Sequence, residues 1–231
     1  MIGRIRVATS HGFSAIIAPA AMEIDQTLIA YALAGGAVGG LVRGYSGFGF
    51  AMAAVPIMAI GISPAIAVPS VLVHELAIGL FSLKSERKRA DLSLLRWMCL
   101  GSLVGTPLGL FALSQIPDQV MRIAIGLVLL LSVLALWVFR SRSVALRPPL
   151  LSGAGFASGL LNGSTAMSGP PVVLTLLGSA LLPAHVRGLS IYFIAFSAAI
   201  GVGISMLSGM QTQAGLVLVL LMIPGVIAGV L

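Results

Sequence analysis

Two segments of this chain carry polar side chains at a density that their apolar surroundings do not require. The first is Gly44-Tyr45-Ser46-Gly47-Phe48-Gly49-Phe50, and the second is Asn162-Gly163-Ser164-Thr165-Ala166-Met167-Ser168-Gly169-Pro170-Pro171. Each glycine in a helix interior costs about 1 kcal/mol relative to alanine, and Pro170-Pro171 removes two backbone donors, so both segments read as helix breaks. A short helix starting after each break aims its first amides back at the break. Those N–H groups and their partial positive charge suit an anion. The hydroxyls of Ser46, Ser164, Thr165 and Ser168 and the amide of Asn162 would complete an oxyanion site, with Gly44, Gly47, Gly49, Gly163 and Gly169 as its backbone. Close helix packing is the other reading of these glycines, and it is the one adopted for Gly101, Gly105 and Gly109, spaced by four.

Three charged or titratable residues in or at the end of apolar runs are candidates to act with these segments. His74 and Glu75 fall near the middle of an apolar run, where an ionised acid costs a few kcal/mol and usually faces an interior cavity. Being adjacent, they point about 100° apart on a helix and are not expected to face one site. Glu75 is the candidate for proton coupling, the alternative being a neutral acid that ties helices together by hydrogen bonds. His74 reads as a structural tie. Arg43 immediately precedes the first break. It either attracts an anionic substrate from the cytoplasm or snorkels to the interface as an ordinary basic residue.

The elements that must position these residues follow from composition. Of 231 residues, 58% are hydrophobic and 8% charged, and the mean hydropathy is +1.12. So few charges exclude both a soluble enzyme and a disordered chain, leaving a polytopic all-α bundle in a lipid bilayer. Helices are expected at 27–43, 50–62, 65–83, 92–114 and 119–139, then at 149–166, 169–182, 184–207 and 214–231. A full span needs about 20 residues, so 50–62 and 169–182 are short and either cross or re-enter. The net charge of +7 reflects basic cytoplasmic loops rather than a nucleic-acid partner. Lys84, Arg87, Lys88 and Arg89 share that side with Arg140, Arg142 and Arg147, and the same count puts Arg43, Arg96 and Arg187 there. The turn Gln115-Ile116-Pro117-Asp118 and the N-terminus then face the periplasm. Residues 1–26 form a tail; its Arg4, Arg6 and Ala18-Pro19-Ala20-Ala21 imitate a signal peptide. Cys99 is the single cysteine and forms no intrachain disulfide. No P-loop, HExxH, GxSxG or Cys/His cluster is present, so no catalytic residue, metal or cofactor is assigned.

The chain also repeats itself. At a shift of 119, Gly36 and Gly40 fall on Gly155 and Gly159, Gly44 on Gly163, Ser46 on Thr165, and Pro64-Ala65 on Pro183-Ala184. At a shift of 124, Gly101 and Gly105 fall on Gly225 and Gly229. The units are 27–139 and 149–231, joined by a basic loop at 140–148, and the second lacks a counterpart of the last helix of the first. An odd number of crossings in the first unit makes the second inverted. Inverted repeats with broken helices are the architecture of secondary transporters, which hold substrate near the midplane between repeats. A passive anion channel and a non-transporting membrane subunit are the alternatives, and homo-oligomers are compatible with all three.

The sequence resembles the sulfite exporter TauE/SafE family of membrane permeases. The resemblance rests on Gly40-Leu41-Val42-Arg43-Gly44-Tyr45-Ser46-Gly47-Phe48-Gly49-Phe50, Pro56 and Pro64-Ala65, and on Gly159-Leu160-Leu161-Asn162-Gly163 with Ser168-Gly169-Pro170-Pro171-Val172-Val173. It covers about residues 28–231, with Ser168 standing where the family's GGPP-like stretch has a glycine. It implies export of sulfite or small organosulfonate anions across a bacterial inner membrane, coupled to an ion gradient.

Overall fold

The computed structural model describes residues 26–86, 91–138 and 145–230. The signal-like tail, Arg87 to Arg89 and most of the basic loop at 140–148 lie outside the described residues. Among those described there are nine helices and no strand. They are α1 (Gln26–Ser46), α2 (Phe50–Gly61), α3 (Pro64–Glu86), α4 (Leu92–Gln115), α5 (Asp118–Val138), α6 (Pro148–Thr165), α7 (Gly169–Leu177), α8 (Pro183–Leu207) and α9 (Gln213–Val230). Five of them, α1, α3, α4, α5 and α8, are long and apolar enough to cross a membrane. The chain is thus an all-α polytopic membrane protein.

Helix limits follow local chemistry. Asp91 caps α4, its carboxylate accepting from the Ser93 amide at 2.8 Å and the Ser93 hydroxyl at 2.7 Å. These bonds hold its carboxyl below the usual carboxylate range. Helix α1 runs past Arg43 to Ser46, three residues further than expected, and the first break is confined to Gly47-Phe48-Gly49. Both its glycines are left-handed, with φ of 80° and 88°, a region glycine enters without steric cost. Helix α6 ends at Thr165, one residue short of 166, so Asn162, Gly163, Ser164 and Thr165 of the second segment are helical and the second break is Ala166-Met167-Ser168. There the left-handed residue is Ala166, φ 58°, a conformation that costs an L-residue about 1–2 kcal/mol. Helix α7 ends at Leu177 rather than 182, because Gly178 and Ser179 turn the chain back on the carbonyls of Leu174 and Leu176.

The 12 residues of α2 and 9 of α7 give about 18 Å and about 14 Å of helix, short of the ~30 Å hydrocarbon layer. Each folds back on its predecessor. In the first hairpin a methyl group on Gly39 would lie 2.9 Å from the Phe50 carbonyl and one on Gly35 2.9 Å from Met58, while Gly61 lies against Tyr31. In the second, the Val172 amide donates to the Ser158 hydroxyl at 3.1 Å.

Glycine stripes join the halves. On α6, Gly155, Gly159 and Gly163 interlock with Gly101, Gly105 and Gly109 on α4; a Cβ on Gly159 would lie 2.8 Å from the Ser102 Cα. On α1, Gly36 and Gly40 meet Gly225 and Gly229 on α9, where Cβ atoms would lie 2.7 Å from the Met222 carbonyl and 2.9 Å from that of Val226. Apart from the exposed Gly44, the glycines that align under the sequence shift all lie in these stripes, each packed on a different helix from the one it aligns with. Helices α3 and α8 cross between these pairs, Gly79 beside Ala195 and Leu72 beside Gly201. Exchanging α1 with α6, α2 with α7, α3 with α8 and α4 with α9 maps the most extensive packed pairs onto one another: α1–α9 onto α4–α6, α1–α2 onto α6–α7, α3–α9 onto α4–α8 and α2–α3 onto α7–α8. Helix α5 lies outside this exchange and presents Leu127, Leu130, Leu131, Leu134 and Trp137 outward.

Candidate functional site

The two breaks meet. A Cβ on Gly169, the first residue of α7, would lie 3.5 Å from the Phe48 ring, and Phe48 packs beside the buried cluster that includes Val172 and Leu176. Gly47 is covered by Arg187 of α8, whose Nε lies 2.8 Å from where a Cβ would be. Arg187 is half-exposed and lies 3.8 Å from Glu86. The first break thus carries a cation on one side and the start of α7 on the other.

Behind Gly47, a charged pair is buried. Arg43 is 4% exposed and Glu75 3%; Arg43 Nη1 donates to Glu75 Oε2 at 3.3 Å. The other oxygen, Oε1, accepts the Ala51 amide at 3.1 Å. Ala51 is the second residue of α2, so the anion at this helix N-terminus is the protein's own carboxylate. Arg43 Nη2 is buried with no protein partner. The reading of Arg43 as a snorkelling cytoplasmic residue is therefore corrected. Glu75 is the midpoint of α3 (Pro64–Glu86), and the packing of the α1–α2 hairpin on α3 brings Arg43 to that level. His74 is also buried, its ring stacked on Phe50 at 5.9 Å and Nδ1 3.2 Å from the Ser70 carbonyl. Contrary to expectation, His74 and Glu75 both face the first turn of α2, because that turn lies across the seam between them.

The hydroxyls divide. Ser46 Oγ lies within hydrogen-bond reach of the carbonyls of Val42 (2.7 Å) and Phe48 and donates to one of them at a time, Ser164 donates to that of Leu160 (2.8 Å) and Thr165 to that of Leu161 (2.8 Å). A hydroxyl carries a single hydrogen, so these three finish helix ends and reach an anion only by releasing a carbonyl. Ser168, 2% exposed, makes no capping bond. Asn162 is 1% exposed and donates through Nδ2 to the Ser197 carbonyl at 2.8 Å, leaving Oδ1 buried without a partner. Gly44 remains helical and exposed, whereas Gly47, Gly49, Gly163 and Gly169 are buried.

Several contributors escaped the sequence reading. Ser197 joins Ser102, which also lies 3.2 Å from Thr106, in a hydroxyl chain linking α8 to α4. Arg122 of α5 donates to the carbonyls of Ala59 and Ile60 (2.8 Å), closing the C-terminal end of α2. The only signal for Arg122 was a basic residue remote from the inner loops. Lone hydroxyls in apolar helices give no signal. Among the described residues no His, Cys, Asp or Glu group could hold a metal.

Neither a curated protein nor a solved structure matches the chain. The model of the family described as sulfite exporter TauE/SafE matches residues 31–231, a stretch that contains both breaks, Arg43, Glu75 and all the interlocked glycines of α1, α4, α6 and α9. The chain therefore belongs to the sulfite exporter TauE/SafE family of membrane transporters.

Proposed function

We propose that this chain carries sulfite or a small organosulfonate out of the cell across a bacterial inner membrane, by ion-coupled alternating access. The units 27–139 and 149–231 act as inverted repeats, with the N-terminal side of α1 periplasmic. The observation that carries this reading is the meeting of the two breaks, Phe48 against Gly169, beside the buried pair of Arg43 and Glu75. A pairing of broken helices around charged groups places fixed dipoles and a cation where a small oxyanion sheds its water. The substrate lies between the breaks, near Gly47, Gly49, Ser168 and Gly169, with Asn162, Gly163, Ser164 and Thr165 forming the far wall. Arg43 attracts it, and Glu75 exchanges the coupling proton. Rocking of the α1–α2 and α6–α7 hairpins against the α3–α8 crossing opens the site to one face and then the other.

The test is flux in proteoliposomes of the full-length protein, following sulfite, sulfoacetate and taurine with chloride as control, with and without an imposed pH gradient. Saturable movement of a sulfur oxyanion that responds to the gradient is expected. No flux of any of these anions by protein shown to be folded would sink the assignment.

A further inference from the structure

Resting on the permease reading above, we propose that Arg43 is a cation shared between Glu75 and the transported anion, so that one proton and one anion move in the same direction. Glu75 spreads its two oxygens over a guanidinium N–H at 3.3 Å and the Ala51 amide at 3.1 Å. These are the two kinds of donor that would grip two oxygens of a sulfonate. The carboxylate is a tethered anion already in the seat. Arg43 Nη2 is the part of that seat left buried and without a protein partner.

Charge balance makes the linkage. With Glu75 ionised, the pair is neutral, and a second anion beside it would leave one negative charge unbalanced in a low-dielectric interior. With Glu75 protonated and no anion, Arg43 is an unbalanced cation. Each state is heavily disfavoured; proton and anion together restore neutrality. Each ligand therefore raises the affinity for the other by the same factor.

Among the described residues no other charge intervenes around Glu75. Of the helices packed on α3, α2, α6 and α9 contain no titratable side chain. On α5, Arg122 is spent on the carbonyls of Ala59 and Ile60, and Asp118 is in the first turn. On α8, Arg187 is beside Glu86, Tyr192 donates to the Leu83 carbonyl at 3.1 Å, and His185 is in the first turn. On α4, Arg96 lies over Trp97 and Cys99 on the turn after it. That leaves His74, stacked on Phe50. The second half holds no equivalent pair: 119 residues on from Arg43, His74 and Glu75 stand Asn162, Phe193 and Ile194. One proton per anion follows. A monoanion then crosses with no net charge, its flux responds to a pH gradient rather than to voltage, and outward flow draws on the anion's own gradient.

The experiment measures binding of methanesulfonate, whose single charge is constant across neutral pH, to the purified full chain by titration calorimetry. In two buffers of different ionisation enthalpy the wild-type protein should take up close to one proton per anion. Affinity should tighten towards about tenfold per unit of falling pH. Glu75→Gln should bind with little pH dependence and take up no proton, whereas His74→Gln should keep the wild-type behaviour. Zero proton uptake in the wild type, an unchanged pH slope in Glu75→Gln, or proton movement opposite to the anion in dye-loaded vesicles would each overturn the shared cation. The first and third need no variant to fold. Saturable flux with any of those results leaves the permease reading standing; folded protein that neither binds nor moves a sulfur oxyanion removes both.

Discussion

Arg43 and Glu75 each stabilise the other against burial rather than adding net stability to the fold. A buried pair returns through mutual attraction roughly what its desolvation costs, but a lone survivor keeps the whole penalty. Arg43→Ala and Glu75→Ala should each lower the unfolding free energy in detergent by about 3–5 kcal/mol, and the double replacement by clearly less than their sum. A thermal or denaturant double-mutant cycle reads this directly; additive losses would mean that the two charges are separately solvated. The residue types here were legible in the sequence, since an acid within an apolar run announces an interior role. The partnership was not. Arg43 closes the apolar run 27–43, the position of an interfacial residue, and only the course of α2 back along α1 shows that the run stops at the level of Glu75. Hydroxyls were legible as polar and illegible as donors, because the i to i−4 bonding of Ser46, Ser164 and Thr165 depends on their lying in the last turns of α1 and α6 rather than in the breaks, α1 ending three residues beyond 43 and α6 one residue short of 166.

At the scale of elements, glycine does two different things. Gly47 and Gly49 supply left-handed backbone to a break, whereas the stripes on α1, α4, α6 and α9 bring helix backbones together. Van der Waals contact drives helix association in lipid, so removing a methyl-sized gap between backbones is where stability is gained. Gly159→Val should cost at least about 1–3 kcal/mol through displaced backbone, its Cβ meeting the Ser102 Cα at 2.8 Å and the Thr106 amide nitrogen at 3.0 Å. Gly153→Ala on the same helix meets nothing within 4 Å and should be neutral or stabilising by up to about 1 kcal/mol. Melting temperatures of the two variants check this, and equal effects would deny the close contact of α4 and α6. Helix α2 is held at both ends, by the Glu75 carboxylate on Ala51 and by Arg122 on Ala59 and Ile60. Helix α7 has a serine hydroxyl on Val172 and no acidic residue in its first turn or basic residue in its last.

For the whole molecule, the proposed orientation has a direct readout. In a background of Cys99→Ala, a membrane-impermeant maleimide added to intact cells should label Ile116→Cys in the α4–α5 turn and leave Arg147→Cys before α6 unlabelled until the membrane is opened. The reverse pattern would invert every assignment of inside and outside. By itself the sequence determined the all-α membrane class, the approximate places of the described helices and of the two breaks, and the family resemblance that the match over residues 31–231 bears out; the repeat it proposed by self-similarity. All of these rest on hydropathy, on glycine and proline backbone preferences and on self-similarity, which are local or additive along the chain. Tertiary structure alone decided that α1 packs on α9 and α6 on α4, that Phe48 reaches Gly169, and that Arg43 meets Glu75 in the middle of the bundle. Those are contacts between residues far apart in sequence, and each is set by how closely backbones approach, which no single segment encodes.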